Sequence, residues 1–300
     1  MPVKGRGKRR REALRAVTWM PFLAIALAFG AGAFLALSLL GAWRWRRLTR
    51  ARRARLESAR LAPAAIRAAD LATLPEPVRR YLGAALPAGA RPIAAADIAT
   101  EGTFNLSPTG ESWVRFRSEQ RVVTRRPGFV WNARMPVPPG VPVLVRDAYV
   151  AGEGILHPSL LGLLPLGAAR GTPELAQGEL MRWLAESAWY PTALAPGQGV
   201  RWEAVDARSA RATVEDGTVT ATLLFRFGDN GLPESVRAET RGRTVGGTVV
   251  PTPWEGRWMD YREVQGVRVP SRGEVAWITP EGRRPYWRGA VTAISLEFAR

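Results

Sequence analysis

The stretch VTATLLFRFGDNG, residues 219–231, decides the fold class of this chain. From Val219 to Phe227 large apolar residues alternate with smaller or polar ones, which is the period of a strand with one buried face. Asp229, Asn230 and Gly231 follow, and such residues turn a strand back into an antiparallel neighbour. The stretch therefore predicts a β-hairpin that continues into residues 236–241.

The same alternation recurs on both sides of this hairpin. Within residues 113–123 the apolar Val114, Phe116 and Val122 share one face, and charged residues share the other. Further strand-like runs follow at intervals of about 8–12 residues, separated by turn residues. The sequence predicts a mainly β (α+β) fold, a curved antiparallel half-barrel sheet.

One block interrupts the strand pattern. Residues 155–165, ILHPSLLGLLP, are apolar and bounded by prolines, and residues 174–190 have the spacing of an amphipathic helix. We interpret the block as a helical insertion laid on the sheet, and its first part as a mobile apolar lid. The prolines and Gly162 disfavour a strand there.

A second feature is the run of residues 16–43, in which no side chain is charged. Twenty-eight helical residues extend about 42 Å at about 1.5 Å each, against a hydrocarbon core of about 30 Å. Trp19 and Trp43 lie near its ends, where amphipathic rings favour the headgroup region. The run is longer than the apolar region of a signal peptide, so it predicts a single retained transmembrane helix.

Most of the net charge of +17 flanks this run. Residues 1–15 hold seven Lys or Arg and one Glu, and residues 44–60 hold eight Arg and one Glu. Anionic lipid attracts such juxtamembrane cations by about 1 kcal/mol each. We expect membrane lipid as a partner and no nucleic acid, because nothing in the chain resembles a nucleic-acid-reading motif.

These patterns divide the chain into four segments: a basic N-terminal tail at 1–15, a transmembrane helix at 16–43, an Arg-rich juxtamembrane linker at 44–61 and a β-rich domain at 62–300. The linker could lie along the membrane interface as a short basic helix. The two cationic flanks are balanced, so they leave open which side of the membrane the domain faces.

Several chemistries are excluded by residues that the chain lacks. It has no cysteine and one histidine, His157, so a cysteine nucleophile and a thiolate or multi-histidine metal site are excluded. Neither the G-x-S-x-G elbow of hydrolases nor a P-loop occurs. We expect no catalytic residue, no metal and no cofactor, and a hydrolase is the least favoured function.

Glu179 and Glu186 are the pair of carboxylates that could serve as acid and base. Seven helical residues separate them by roughly 10 Å, which slightly exceeds the separation of paired glycosidase carboxyls. Arg182 lies between them at i+3 of one and i−4 of the other. We interpret the three residues as a structural ion ladder.

Eight motifs, in order along residues 62–298, resemble an uncharacterised bacterial family, DUF6544 (DUF6920-type). They are PEPVRRYL at 75–82, GFVWNAR at 128–134, DAYVAGEG at 147–154, GELMRWLAE at 178–186, WYPTAL at 189–194, PWEG at 253–256, DYR at 260–262 and YWRG at 286–289. The family brings no established activity. Its order of strands and helices resembles that of LolA/LolB-type lipoprotein carriers, half-barrels closed by helices over an apolar cavity. Together with the predicted transmembrane helix, the resemblance points to a single-pass protein of the bacterial inner membrane. The side that the domain faces stays open, and the fold analogy favours the extracytoplasmic side.

Two functions fit these features. The first is binding of a lipid or another apolar ligand in a half-barrel beside the membrane. The second is a non-enzymatic envelope interaction or scaffold protein, which would dock an envelope protein and have a filled core. For the first, the cavity candidates are aromatic, Leu and Met residues that could equally form an ordinary core: Trp131, Met135, Tyr149, Leu160, Leu161, Leu163, Leu164, Trp183 and Trp189.

Overall fold

The computed structural model describes the backbone of residues 6–107, 110–136 and 140–299, and the side chains from Trp19 onward. The side chains of the basic tail at 1–15 lie outside this description. The helices of the described part are α1 (Arg6–Ala59), α2 (Ala68–Leu71), α3 (Glu76–Ala85) and α4 (Pro173–Glu186), the last followed by 3-10 turns at Ser187–Trp189 and Pro191–Leu194. The strands are β1 (Ile93–Asn105), β2 (Trp113–Val123), β3 (Gly128–Pro136), β4 (Pro142–Val150), β5 (Glu153–Leu160), β6 (Leu164–Pro165), β7 (Ala169–Arg170), β8 (Val200–Asp206), β9 (Ser209–Asp216), β10 (Val219–Phe227), β11 (Pro233–Val245), β12 (Thr248–Val264), β13 (Val267–Thr279) and β14 (Gly282–Phe298).

The strands form one antiparallel sheet in the order β6-β5-β4-β3-β2-β1-β14-β13-β12-β11-β10-β9-β8, with β7 paired to β5. The hairpin predicted from residues 219–231 is present as β10 and β11. The first and last strands meet in mid-sheet, where Ile98 pairs with Ile294. The predicted fold class, a curved antiparallel half-barrel with a helical insertion after one long apolar N-terminal helix, is confirmed.

The helix α4 lies on the concave face of the sheet. It packs against β5 on one side and against β10 and β11 on the other, although eight strands lie between β5 and β10 in the sheet order, so the sheet curls around it. The indole of Trp183 donates to the carbonyl of Val123 at 3.0 Å. The hydroxyl of Tyr190 donates to the carbonyl of Trp183 at 2.7 Å. Both faces of α4 are therefore enclosed, including the face that carries Glu179 and Glu186.

The apolar segment 155–165 differs from the lid that the sequence predicts. Most of it is strand β5, in which Pro158 pairs with Val145 of β4. The Pro158 carbonyl accepts from Leu166 N on the side away from β4. The N–H and the carbonyl of a strand residue point to the same side, so an N–H at residue 158 would also point away from β4. Because proline lacks only that N–H, the hydrogen bonds between β5 and β4 are all kept. Gly162, with φ of +75°, forms the turn into β6.

The helix α1 continues without a break through the stretch expected as a linker. It is 54 residues long, and within the described residues it is long and apolar enough to span a membrane. Its last turns pack on the outer face of β2, β3 and β4, where Trp45 and Leu56 are buried. Residues 44–59, within the stretch expected as a linker, are helical and pack on the sheet.

Polar contacts fix this end of α1 to the sheet. The Arg146 guanidinium of β4 stacks over Trp45 at 4.1 Å and donates to the Trp45 carbonyl at 3.0 Å. Burial lowers the pKa of Arg146 to about 10. Arg55 pairs with Glu153 at 2.6 Å, and Arg121 pairs with Glu57 at 2.7 Å. Part of the arginine-rich segment thus faces protein carboxylates.

Leu56 tests whether α1 is part of the domain. Its side chain is 1% exposed in a small cluster with Val123, Val130 and Ile155. We expect Leu56→Ala to destabilise the full chain by about 2–5 kcal/mol, as Leu-to-Ala changes in cores do. Leu48→Ala, at a position 42% exposed on the same helix, is the control and should change little. Thermal melts in detergent that are equal for both variants would contradict the packing described.

Candidate ligand-binding cavity

An apolar cavity of about 500 Å³ lies between the concave face of the sheet and α4. Its volume falls within the range of about 300–1,000 Å³ common for small-molecule sites. The apolar wall consists of Phe104, Leu106, Trp131, Met135, Val143, Val145, Leu156, Pro158, Leu166, Ala185, Trp189, Trp254, Trp258, Val275, Tyr286 and Trp287. Four charged residues also line the cavity: Asp147, Arg182, Glu186 and Arg241.

Tryptophan rings supply much of this wall, and hydrogen bonds and ring contacts fix their orientation. The indole N–H of Trp189 donates to the Pro270 carbonyl at 3.0 Å. The indole N–H of Trp254 donates to the Tyr286 hydroxyl at 2.8 Å. Trp189 and Trp258 meet edge to face with centroids 5.1 Å apart, a favourable aromatic geometry. The indole N–H groups of Trp189 and Trp254 are thus engaged, whereas that of Trp258 is buried without a partner among the described residues.

Glycines in the sheet make room for two of these rings. Gly273 and Gly289 pair across β13 and β14. A Cβ on Gly289 would lie 2.3 Å from the Trp287 ring, and one on Gly273 would lie 2.7 Å from the Trp258 ring. Only glycine lets the rings lie this close to the strands.

A buried charge network forms one side of the cavity around Arg182. Its Nε donates to Glu186 Oε1 at 2.8 Å, and a second nitrogen donates to Asp147 of β4. A third contact reaches Gln120 Oε1 of β2 at 3.1 Å, and Gln120 in turn donates to Glu186 at 2.6 Å. The guanidinium also lies 4.9 Å from the Trp131 ring centroid. The charges are thus paired within the wall, which is what burial of an ion requires.

Two pKa shifts follow from this burial. Burial alone would lower the pKa of Arg182, but the Glu186 and Asp147 carboxylates outweigh it and raise that pKa above its ordinary value. Burial, and then the charge of Asp147, raise the pKa of Glu179 well above its ordinary range, and Arg182 and Arg241 only partly oppose this. Among described residues, Glu179 Oε2 and Asp147 Oδ1 have no donor. A proton held by Glu179 removes the charge that burial disfavours.

The ion ladder expected from the sequence is only half present. Arg182 pairs with Glu186 one turn later, as the spacing predicts. Glu179 forms no ion pair with Arg182 within the described residues, and its structural role in the ladder stays a prediction. The physical reason for the absent ion pair is that Asp147, from a distant strand, takes that position on the guanidinium.

The nine cavity candidates fall into three groups. Trp131, Met135 and Trp189 line the cavity. Tyr149 and Trp183 do not line it and are fully enclosed core residues. The four leucines, Leu160, Leu161, Leu163 and Leu164, also lie outside the lining, in the β5–β6 turn and its flanks.

The sequence reasoning missed Trp254, Trp258, Tyr286 and Trp287, which lie on β12 and β14. The sequence around two of them contains a pattern from which their position in the wall could have been predicted. Trp254 and Trp287 are each followed two residues later by glycine, on the same face of the strand. A glycine at that spacing leaves room for the ring.

A larger concavity of about 1010 Å³ lies on the outer face of the sheet. Six arginines line it: Arg115, Arg117, Arg134, Arg257, Arg272 and Arg288. Several pair with carboxylates at its border, such as Arg288 with Glu274 at 2.7 Å. We interpret it as a solvated charged surface. No group of three or more His, Asp or Glu side chains in the described part is placed to hold a metal ion.

A family model, the family of unknown function DUF6920, matches residues 72–296. The chain belongs to the DUF6920 family. The family number DUF6544 expected from the motifs was therefore wrong. No curated protein matches the chain in sequence.

Two solved structures resemble the DUF6920 chain distantly. One is a LolA superfamily protein from Nitrosomonas europaea, 12% identical, with a TM-score of 0.35 over 75% of this chain and 93% of that one. The other is a β-barrel-like DUF1849 protein from Brucella abortus, 11% identical, with a TM-score of 0.20 over 69% of this chain and 100% of that one. At such TM-scores neither likeness carries an inference about ligands.

The raised pKa of Glu179 predicts a pH-dependent effect of Glu179→Gln. The folded state keeps this proton at pH values where the unfolded chain has lost it, so the stabilisation is full below the unfolded pKa of about 4.3 and falls as pH rises towards the folded pKa. Glutamine stays neutral at every pH. We expect the melting temperature of Glu179→Gln to rise relative to wild type between pH 5 and pH 8.

The control for this comparison is Glu174→Gln, at an exposed position on the same helix. Its difference from wild type should stay constant over the same pH range. If the difference in melting temperature between Glu179→Gln and wild type is the same at every pH, Glu179 is ionised in the folded protein.

Proposed function

We propose that the DUF6920 domain binds a chain-like apolar ligand, such as the acyl chain of a lipid, in the cavity beneath α4. The observation that carries the proposal is the cavity wall, in which Trp131, Trp189, Trp254, Trp258 and Trp287 surround open space. Protein interiors are close-packed and rarely leave voids larger than a water molecule. A space of about 500 Å³ with a mostly apolar wall is therefore better explained as a binding site than as ordinary core.

The free energy for such binding would come from the apolar surface of the ligand. Each methylene moved out of water contributes about 0.8 kcal/mol, so two more methylenes strengthen binding by roughly tenfold or more. This gain should continue with chain length until the cavity is full. A filled-core scaffold protein, the alternative function, would show no such dependence.

One end of the ligand would meet Arg241. This side chain is half-buried, lines the cavity and stacks over the Trp254 ring at 4.8 Å. Arg182, the other lining cation, is already bonded to two carboxylates and a glutamine. Arg241 donates no hydrogen bond to a carboxylate within the described residues. It is therefore suited to an anionic head, a carboxylate or a phosphate.

The proposal includes a membrane anchor. The helix α1 is long and apolar enough to span a bilayer, and its end is packed on the domain. We take the membrane to be the bacterial inner membrane and the domain to lie on its extracytoplasmic side, as the sequence resemblance and the fold analogy favour. A ligand drawn from membrane lipid would then be close to the cavity.

Val145→Trp tests the cavity itself. Val145 lines the cavity and is half-buried, so an indole there would occupy the space of an acyl chain. We expect the variant to lose most of its bound lipid, measured by native mass spectrometry and lipid extraction of the full chain. Because the new ring fills existing space, stability should fall by less than the 1–3 kcal/mol typical of overpacking.

Val205→Trp is the matched control, since Val205 is 46% exposed on β8 and lies outside the cavity lining. It should retain lipid as the wild type does, including lipid bound around α1. A wild-type chain that carries no more lipid than Val145→Trp would sink the binding proposal and favour the scaffold function.

Arg241→Gln tests the recognition of an anionic head. A charge-assisted hydrogen bond is worth about 1.5–3 kcal/mol, so the wild type should prefer a C16 fatty acid over its methyl ester by about tenfold or more. The variant should bind both alike, in competition followed by native mass spectrometry. An unchanged preference would show that Arg241 does not contact the head.

A further inference from the structure

We infer that the mouth of the cavity lies at the bilayer surface, and that the turn of residues 161–166 enters the headgroup layer beside α1. An acyl chain would then pass between membrane and cavity without crossing water. This inference rests on the proposed function, because it requires α1 to span the membrane and the cavity to hold an apolar ligand.

The first step is the contact between α1 and the β5–β6 turn. A Cβ on Gly41 of α1 would lie 2.0 Å from the Leu161 carbonyl oxygen. A Cβ on Gly162 would lie 2.9 Å from the Gly41 carbonyl oxygen. The two backbones therefore touch, and glycine at both positions permits the contact. The β5–β6 turn is therefore held against α1 at Gly41.

The second step is the position of that level relative to the membrane. Gly41 lies two residues before Trp43 and three before Arg44, where the uncharged run ends. Residues 19–37 of α1 are exposed in the described chain, and contact with the domain begins beyond them. Because the uncharged run is longer than a hydrocarbon core, its last residues lie in the headgroup region. The turn that touches Gly41 lies at the same depth.

The third step is the exposure of apolar side chains on this segment. Leu164 is 62% exposed and Leu166 is 51% exposed. Leucine side chains in such positions lose contact with water when they enter the bilayer, and this favours insertion. These leucines lie beside α1, the helix that would span the membrane. Lipid is therefore the partner that this apolar surface would meet.

The fourth step joins this segment to the cavity. Leu166 lines the cavity and is hydrogen-bonded through its N–H to the carbonyl of Pro158, another lining residue. Two further lining residues are also exposed, Leu106 at 50% and Leu156 at 38%. Side chains that line the cavity and also face outward mark its mouth. Two residues of this mouth, Leu156 and Leu166, are each five residues of chain from Leu161, which touches Gly41.

The chain has no cysteine, so a single introduced cysteine can be labelled specifically to test the membrane contact. Leu164→Cys is labelled with an NBD fluorophore and the full chain is reconstituted in vesicles of phosphatidylcholine and phosphatidylglycerol. We expect a blue-shifted emission that is quenched by lipids carrying a doxyl group near the headgroup. Val205→Cys, labelled in the same way, is the control and should behave as in water.

Equal emission from both labelled positions would overturn the inference. A blue shift at Leu164→Cys that resists doxyl lipids and grows with the protein-to-lipid ratio would also overturn it, since it would mean that a second copy covers the turn. This readout needs no ligand. It therefore separates failure of the membrane contact from failure of the binding proposal, which Val145→Trp tests.

Leu164→Glu tests passage through the mouth, because Leu164 is exposed and is not part of the cavity wall. We expect uptake of a fluorescent C16 fatty acid from vesicles to be roughly tenfold slower, with the amount bound at equilibrium unchanged. Uptake at the wild-type rate would overturn the inference even if the ligand binds.

Discussion

The guanidinium of Arg182 ties the inserted helix to the concave side of the sheet. It reaches Gln120 of β2 and Asp147 of β4, and it lies over the rings of Phe129 and Trp131 in β3. A buried ion keeps such a position only while its partners remain, because an unpaired charge in the interior is strongly destabilising. Together with the buried Trp183, which bonds the Val123 carbonyl, this side chain holds α4 in place and so maintains the space below the helix.

The opposite wall depends on shape rather than charge. Gly273 and Gly289 remove the side chains that would otherwise lie under the rings of Trp258 and Trp287. Large rings thereby lie against the strands with their carbon faces inward, and the sheet carries aromatic surface without losing its pairing. A charged helix on one side and glycine-supported rings on the other together produce a cavity that is apolar over most of its wall.

The fold could be predicted because its signals are local. Alternation along residues 219–227 and the turn after it specify a hairpin, and an uncharged run specifies a helix. The cavity could be predicted only in part, since Trp131, Met135 and Trp189 were found and the tryptophans of β12 and β14 were not. Which of twelve tryptophans faces inward depends on strand register across the sheet. The partner of Arg182 was missed for the same reason, because Asp147 is 35 residues away in sequence.

The unbroken course of α1 limits how the domain can move. A flexible tether would let a domain travel tens of ångströms from its attachment point, whereas a helix packed on the sheet as far as Leu56 permits almost no such travel. If α1 spans the membrane, the domain stands in a fixed pose on the bilayer and cannot ferry cargo across a compartment. Any molecule that it receives must be brought to it, or must arrive by lateral diffusion in the plane of the membrane.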